Sequence, residues 1–249
     1  IQKMLILANP TNDLKSAYLE GAYIKNQFDS KRKHMRIDFK STNIDTLYVK
    51  NNLRDYDIVH FAGHCDFEFK DGDMGWLLSD GKLTAKDILT LGESLSLPGL
   101  VFSNACYSAR SAVDLTNTDS QNNTYSLASA FLFSGVRHYI GTIWRVEDPI
   151  SSVFAKEFYD YLIKGKTIGE CIRLGRLKLI DDYGIKTLSW ASYVLYGDPD
   201  FKLFGYPKKL INSSKIKKKI SLSKKLILRL SLIISSIILS FILYSILPF

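Results

Sequence analysis
Apolar residues gather along this chain in two kinds of pattern, short runs and stretches of helical spacing. "DIVHFAG" (Asp57–Gly63) and "GLVFSNA" (Gly99–Ala105) are near-continuous apolar runs, the mark of strands buried on both faces of a parallel sheet. "MLILA" (Met4–Ala8), closed by "NPTND", and "RHYIGTIW" (Arg137–Trp144) read as strands too. "MRIDFK" (Met35–Lys40) alternates apolar and polar as a strand does, "GWLLSDG" (Gly75–Gly81) looks like part of a hairpin, and "SYVLYGDPD" (Ser192–Asp200) supplies a last strand and turn. Helical spacing fills the gaps: Leu14–Phe28, a short helix opening at Asn43, "TAKDIL" from Thr84, and Tyr125–Val136 stopped at Gly135. Two more helices run from Asp148 to about Lys164 and from Thr167 to about Ile180, the second opening with the capping box "TIGE". Strand and helix alternate with short connections. This predicts an α/β fold, a mostly parallel sheet with helices on both faces, whose ligands bind at the carboxyl ends of the strands.

The C-terminus breaks the pattern. Leu226 to Leu247 are 22 residues that are apolar all round, about 33 Å of helix against a hydrocarbon core of about 30 Å. Nine lysines and arginines lie between Lys208 and Arg229, and no acidic residue follows Asp200. Removing those nine from the net charge of +8 leaves about −1, so the rest of the chain is near neutral and a nucleic-acid partner is not expected. The sequence therefore predicts a globular domain over residues 1–207, a basic juxtamembrane linker over 208–225 and a transmembrane anchor over 226–249. The lysines facing anionic headgroups place the domain on the cytoplasmic side of a single-pass protein. The first residue is Ile1, which leaves room for a regulatory domain or partner before it. Three cysteines are too few for a disulfide framework, and a reducing compartment with free thiols is expected.

Two of the buried runs end in reactive side chains, "VHFAGHCDF" at His64 and "LVFSNACYSA" at Cys106. A thiol becomes a strong nucleophile when a nearby imidazole takes its proton. If the two strands are neighbours or near neighbours, their tips lie within reach, since strands are ~5 Å apart. Ala62, Gly63 and Ala105 leave room there for a peptide. Against this stands the plain reading of a cysteine as a small core residue and a histidine as a structural one. His60 shares a strand face with His64, but no CxxC or HxxxH-plus-Glu helix supports a metal site, and no cofactor is called for. His34 and His138 read as ordinary, partly exposed residues, and Cys171 as buried in its helix. Trp144 and Trp190 read as core or pocket wall.

The ordered series "VHFAGHCDF", "LVFSNACYSA", "SLASAFLFSGVRHYIGTIWRVED" and "SWASYVLYGDPD", from about Met4 to Phe204, resembles the CHAT domain, a branch of the caspase-like (clan CD) cysteine peptidases. The resemblance implies a caspase-like sandwich, His64 as the catalytic histidine and Cys106 as the nucleophile. It implies a cysteine endopeptidase acting on protein or peptide substrates, with backbone N–H groups near Gly63 and Cys65 and at Cys106 binding the oxyanion. Glycine commonly follows the histidine in such peptidases, whereas this chain has Cys65, which fits wherever φ stays negative. As in several relatives, Glu147 and Asp148 beside Trp144 would then line a pocket for a basic side chain. Asp148 alternatively caps a helix beginning at Pro149. Two other functions stay open: an inactive signalling or scaffold module of this fold at the membrane, and a cysteine-dependent acyl or lipid transferase.

Overall fold
A computed structural model describes residues 1–66, 74–94, 96–110 and 126–204. Its centre is a six-stranded sheet in the order β2-β1-β3-β7-β8-β9. The strands are β1 (Lys3–Ala8), β2 (Arg36–Lys40), β3 (Ile58–Ala62), β7 (Leu100–Asn104), β8 (His138–Thr142) and β9 (Tyr193–Tyr196). The first five pair in parallel, and β9 closes the edge antiparallel to β8. The sequence foretold the strand at Ser192 but not this reversal. A small antiparallel sheet is formed by β4 (Cys65–Asp66), β5 (Gly75–Leu77) and β6 (Lys82–Thr84), so the "GWLLSDG" turn is indeed half of a hairpin.

The two-residue period of the strands feeds two cores. Met4, Ile6 and Ala8 of β1, Ile58 and Ala62 of β3, and Phe102 of β7 face one side. There they pack under α1 (Lys15–Lys31), α5 (Asp148–Ile163) and α6 (Ile168–Tyr183). Leu5, Leu7, Val59, Phe61 and Val101 face the other side. They pack under α2 (Thr46–Asn52), α3 (Ala85–Ser94) and α4 (Leu127–Phe133). A sheet clothed this way must be apolar on both faces at its centre, which is why β1, β3 and β7 read as unbroken runs. Each buried Phe or Leu contributes roughly 1.5–3 kcal/mol.

Local chemistry sets the helix ends. Thr167 and Glu170 form the reciprocal capping box of α6, and Thr84 and Asp87 exchange equivalent bonds (3.0 and 3.1 Å) ahead of α3. α2 begins at Thr46 rather than Asn43, because Asp45 accepts the Tyr48 N–H (2.6 Å) while Asn43 sits in the left-handed region (φ 49°). α1 lies close on the sheet: a Cβ on Gly21 would come within 2.8 Å of Ala8 Cβ, so glycine allows that approach. His138, read from sequence as partly exposed, is buried on β8 and stacked on Phe201 with ring centroids 4.5 Å apart. Burial lowers its basicity.

The apolar run Leu226–Leu247 and the basic stretch before it lie outside the described residues. Among the described residues, no helix is long and apolar enough to cross a membrane.

Candidate active site
β3 and β7 are direct neighbours, with Ala62 opposite Asn104. His64 and Cys106 each lie two residues past those ends, and the Gly63 N–H carries the ladder one step further by donating to the Asn104 carbonyl (3.3 Å). Both side chains line one cleft of about 290 Å³ at the carboxyl edge of the sheet. The two strand ends are therefore neighbours, and both residues line the same cleft.

The turn after β7 is rigidly tied. Ser108 Oγ donates to the Ser103 carbonyl (2.9 Å), Thr142 Oγ1 to the Ala105 carbonyl (2.8 Å), and the Ala109 N–H to the Thr142 carbonyl (2.9 Å). Within it, Tyr107 takes a left-handed conformation (φ 60°), costly for a non-glycine residue and found at sites the surroundings over-determine. This sharp turn leaves Cys106 half-exposed, its thiol donating to the Val146 carbonyl (3.6 Å).

His64 lies beyond β3, partly open to solvent, and its Nε2 meets Asp13 Oδ2 at 2.9 Å. Asp13 comes from the loop after β1, the other neighbour of β3. That loop is pinned: the Asn9 N–H donates to the Ala62 carbonyl and the Leu14 N–H to Asn9 Oδ1, both at 2.8 Å, with Asn9 and Asn12 left-handed. The Thr11 hydroxyl, and after it His64, holds the Asp13 carboxyl below the usual carboxylate range. Nothing in the sequence pattern marked Asp13.

Cys65 sits in β4 opposite Trp76, without positive φ, so a side chain after His64 carries no backbone strain. The Leu77 N–H donates to the His64 carbonyl (3.0 Å), making residues 64 and 77 the bonded pair. By the alternation of antiparallel ladders, the Cys65 N–H then points away from β5. Of the two backbone donors expected around His64, Cys65 keeps its N–H out of the ladder, whereas that of Gly63 is committed to Asn104. The Cys65 thiol is buried, and desolvation with the nearby Asp66 pushes it up to about 12. Burial likewise raises Cys171, in the α6 core, to about 12.

The acidic pair resolves unevenly. α5 begins at Asp148 itself, with Glu147 at the N-cap making no side-chain cap bond. Asp148 does not cap its own helix but accepts the Ser16 N–H of α1 (3.0 Å), across 132 residues of chain. Glu147 and Asp148 both line the cleft, and exposed Arg145 lines it too. Trp144 does not; it is partly buried against the core that α1, α5 and α6 cover. Trp190 is part of a separate groove beside α6.

A polar cluster under the cleft escaped the sequence reading. Fully buried Glu20 of α1 accepts from Asn104 Nδ2 (2.8 and 3.0 Å) and bonds His60 Nε2 (2.7 Å). The Tyr159 hydroxyl reaches His60 Nδ1 (3.2 Å), and the Tyr193 hydroxyl donates to Asn104 Oδ1 (3.0 Å). His60 is thus a satisfied core residue. Among the described residues no group of three His, Cys, Asp or Glu is placed to hold a metal ion.

This parallel sheet with helices on both faces is similar in fold to solved structures, cysteine proteinases among them. The Saccharomyces cerevisiae separase–securin complex matches at TM-score 0.52 and 16% identity, over 80% of this chain and 12% of that one. The Arg-specific cysteine proteinase gingipain R matches at TM-score 0.60 and 15% identity, over 80% of this chain and 47% of that one. The Porphyromonas gingivalis RgpB pro- and mature-domain complex matches at 0.57 and 15%, with the same coverage. This chain thus spans less than half the length of each of these three. Its residues 2–198 match the CHAT domain, and the chain belongs to that family. No curated protein matches it.

Proposed function
We propose that this protein is a cysteine endopeptidase in which His64 and Cys106 form the reacting pair. The observation that carries this is their position two residues past adjacent parallel strands, lining one cleft. The Cys106 thiol passes its proton to His64, and the thiolate attacks the carbonyl carbon of a peptide bond. The carbonyl electron pair moves to oxygen, met by the N–H groups of Cys65 and Cys106, donors of a kind whose loss costs ~100-fold or more. The intermediate collapses, the His64 proton leaves with the amine, and a thioester remains. Water, deprotonated by His64, then releases the acid and restores the thiol. Glu147, with no cap bond to make, favours a basic side chain in the cleft, and Arg145 opposes it. The test is a peptide-ketone activity probe with a cleavage profile on wild type and Cys106→Ala. Labelling and cleavage lost together in the variant support the reading; no labelling of wild type sinks it.

A module without peptidase activity is the second reading. One observation favours it: the side-chain bonds of His64 and Cys106 go to Asp13 and to the Val146 carbonyl, not to each other. Catalytic bonds are often long or misaligned in a free enzyme, which keeps the first reading ahead.

The apolar run Leu226–Leu247 after the lysine-rich stretch supports a single-pass anchor with the peptidase domain on the cytoplasmic side. Deleting residues 226–249 should turn a membrane-bound protein into one recovered in the supernatant. A truncated protein that stayed in the pellet after a high-salt wash would end this part of the proposal.

A further inference from the structure
The His64–Asp13 contact has consequences beyond the His–Cys pair, and drawing them rests on the peptidase reading of that pair. We infer that Asp13 is a positioning residue: it holds the His64 ring with the proton on Nε2 and leaves Nδ1 as the nitrogen that takes the proton of Cys106.

The inference stands on geometry. His64 Nε2 and Asp13 Oδ2 are 2.9 Å apart, an ordinary hydrogen-bond length. A carboxylate has only acceptors, so a neutral imidazole bonded to it must carry its proton on the bonded nitrogen. The lone pair is then on Nδ1. The carboxylate is itself held in place by three contacts outside the pair: the Thr11 hydroxyl on Asp13 Oδ1, the Asn9 N–H on the Ala62 carbonyl, and the Leu14 N–H on Asn9 Oδ1. The short loop from Asn9 to Leu14 therefore ties the end of β1 to the end of β3 and carries Asp13 to the ring. Both partners are partly open to water, with side-chain exposures of 40% for His64 and 58% for Asp13, so the pair adds little to folding stability. Its use lies in aiming the ring.

Other charged or titrating groups share the surroundings. Glu20, Cys106, Arg145, Glu147 and Asp148 line the same cleft, and Cys65 follows His64 in sequence. Asp148 and Glu20 are bonded elsewhere, to the Ser16 N–H and to His60 with Asn104, and the Cys65 thiol is buried and protonated below about 12. Asp13 is the carboxylate in hydrogen-bond contact with the ring.

The test uses the full chain, kept in detergent, as wild type, Asp13→Asn, Asp13→Glu and Thr11→Val. Long-range ¹H–¹⁵N NMR reports which ring nitrogen of His64 carries the proton and at what pH the ring charges, with the signals assigned through His64→Gln. The pH profile of kcat/KM is measured alongside. Wild type should show the Nε2–H form. In Asp13→Asn, whose amide can also donate, the Nδ1–H form should appear beside it and the alkaline limb of the pH profile should draw in. Thr11→Val should give a smaller change, Asp13→Glu should restore the Nε2–H form in part, and the melting temperature should hold in all. Wild-type and Asp13→Asn rings with the same tautomer would overturn the inference, whether or not peptides are cut. Faster turnover in Asp13→Asn would also overturn it, since Asp13 would then be pulling the ring away from Cys106. A wild type with the Nε2–H form, and the Nδ1–H form appearing in Asp13→Asn, but no cleavage, would sink the peptidase reading and leave the positioning role standing.

Discussion

His60 and His64 are four residues apart, and each bonds a carboxylate of the segment that follows β1. The contacts are nearly equal in length, 2.7 Å to Glu20 and 2.9 Å to Asp13. Burial separates them. His60 and Glu20 are sealed, with side-chain exposures of 0% and 1%, and Asn104 and Tyr159 satisfy their remaining atoms. His64 and Asp13 sit at the rim of the cleft. A sealed pair cannot lose one partner without stranding a charge or a polar group, so its worth is structural. An open pair can exchange protons with substrate and water. The same residue types serve architecture at one position and are available for chemistry at the other.

Four substitutions break or sharpen that contrast. Glu20→Ala should cost the most, about 3–5 kcal/mol in denaturant unfolding, because His60 and Asn104 lose a buried partner. A loss no larger than that from Asp13→Ala would erase the distinction between the two pairs. A comparable loss, gated by pH, should come from the buried thiols. Cys65 and Cys171 are raised from 9.0 to about 12 in the folded protein, so the unfolded chain releases those protons first. Their contribution is full below pH 9.0 and drains away as pH rises towards 12. Unfolding free energies measured across that range should fall less steeply in Cys171→Ala than in wild type; equal slopes would contradict the burial argument. The smallest effect belongs to Asp148→Ala, about 1 kcal/mol, from losing its bond to the Ser16 N–H at the start of α1. The cleavage profile should stay the same there, whereas Glu147→Lys should move it away from basic side chains. A profile altered by Asp148→Ala alone would reverse the two roles.

What could be read in the sequence follows from where each determinant resides. β1, β3 and β7 were legible because a strand covered on both faces must be apolar throughout, and α6 because its capping box is spelled in adjacent residues. That His64 and Cys106 would line one cleft was foreseeable once both strands were placed side by side in one parallel sheet. β9 was legible as a strand but not in direction, since an apolar alternation reads the same either way. Glu20 left a trace: it interrupts the apolar stripe of Ala17, Gly21, Ile24 and Phe28 on α1, and a carboxylate there needs a buried partner. His60, a polar residue inside an apolar run, is that partner. Asp13 left none. It lies in a polar loop, and its role comes from contacts across 51 residues of chain. Asp148 was visible as a capping residue, but the helix it caps is α1, which no local pattern states.

The reactivity of Cys106 tests the central claim most directly. Brief alkylation with iodoacetamide near about pH 6, read by peptide mass spectrometry, separates a thiolate held by an imidazole from ordinary thiols, which ionise near 8.5. Cys106 should be modified first, well ahead of buried Cys65 and Cys171, and His64→Ala should slow it to the rate of an ordinary thiol. Modification of Cys106 no faster than Cys65, and unchanged by His64→Ala, would mean that the imidazole and the thiol share a cleft without sharing a proton.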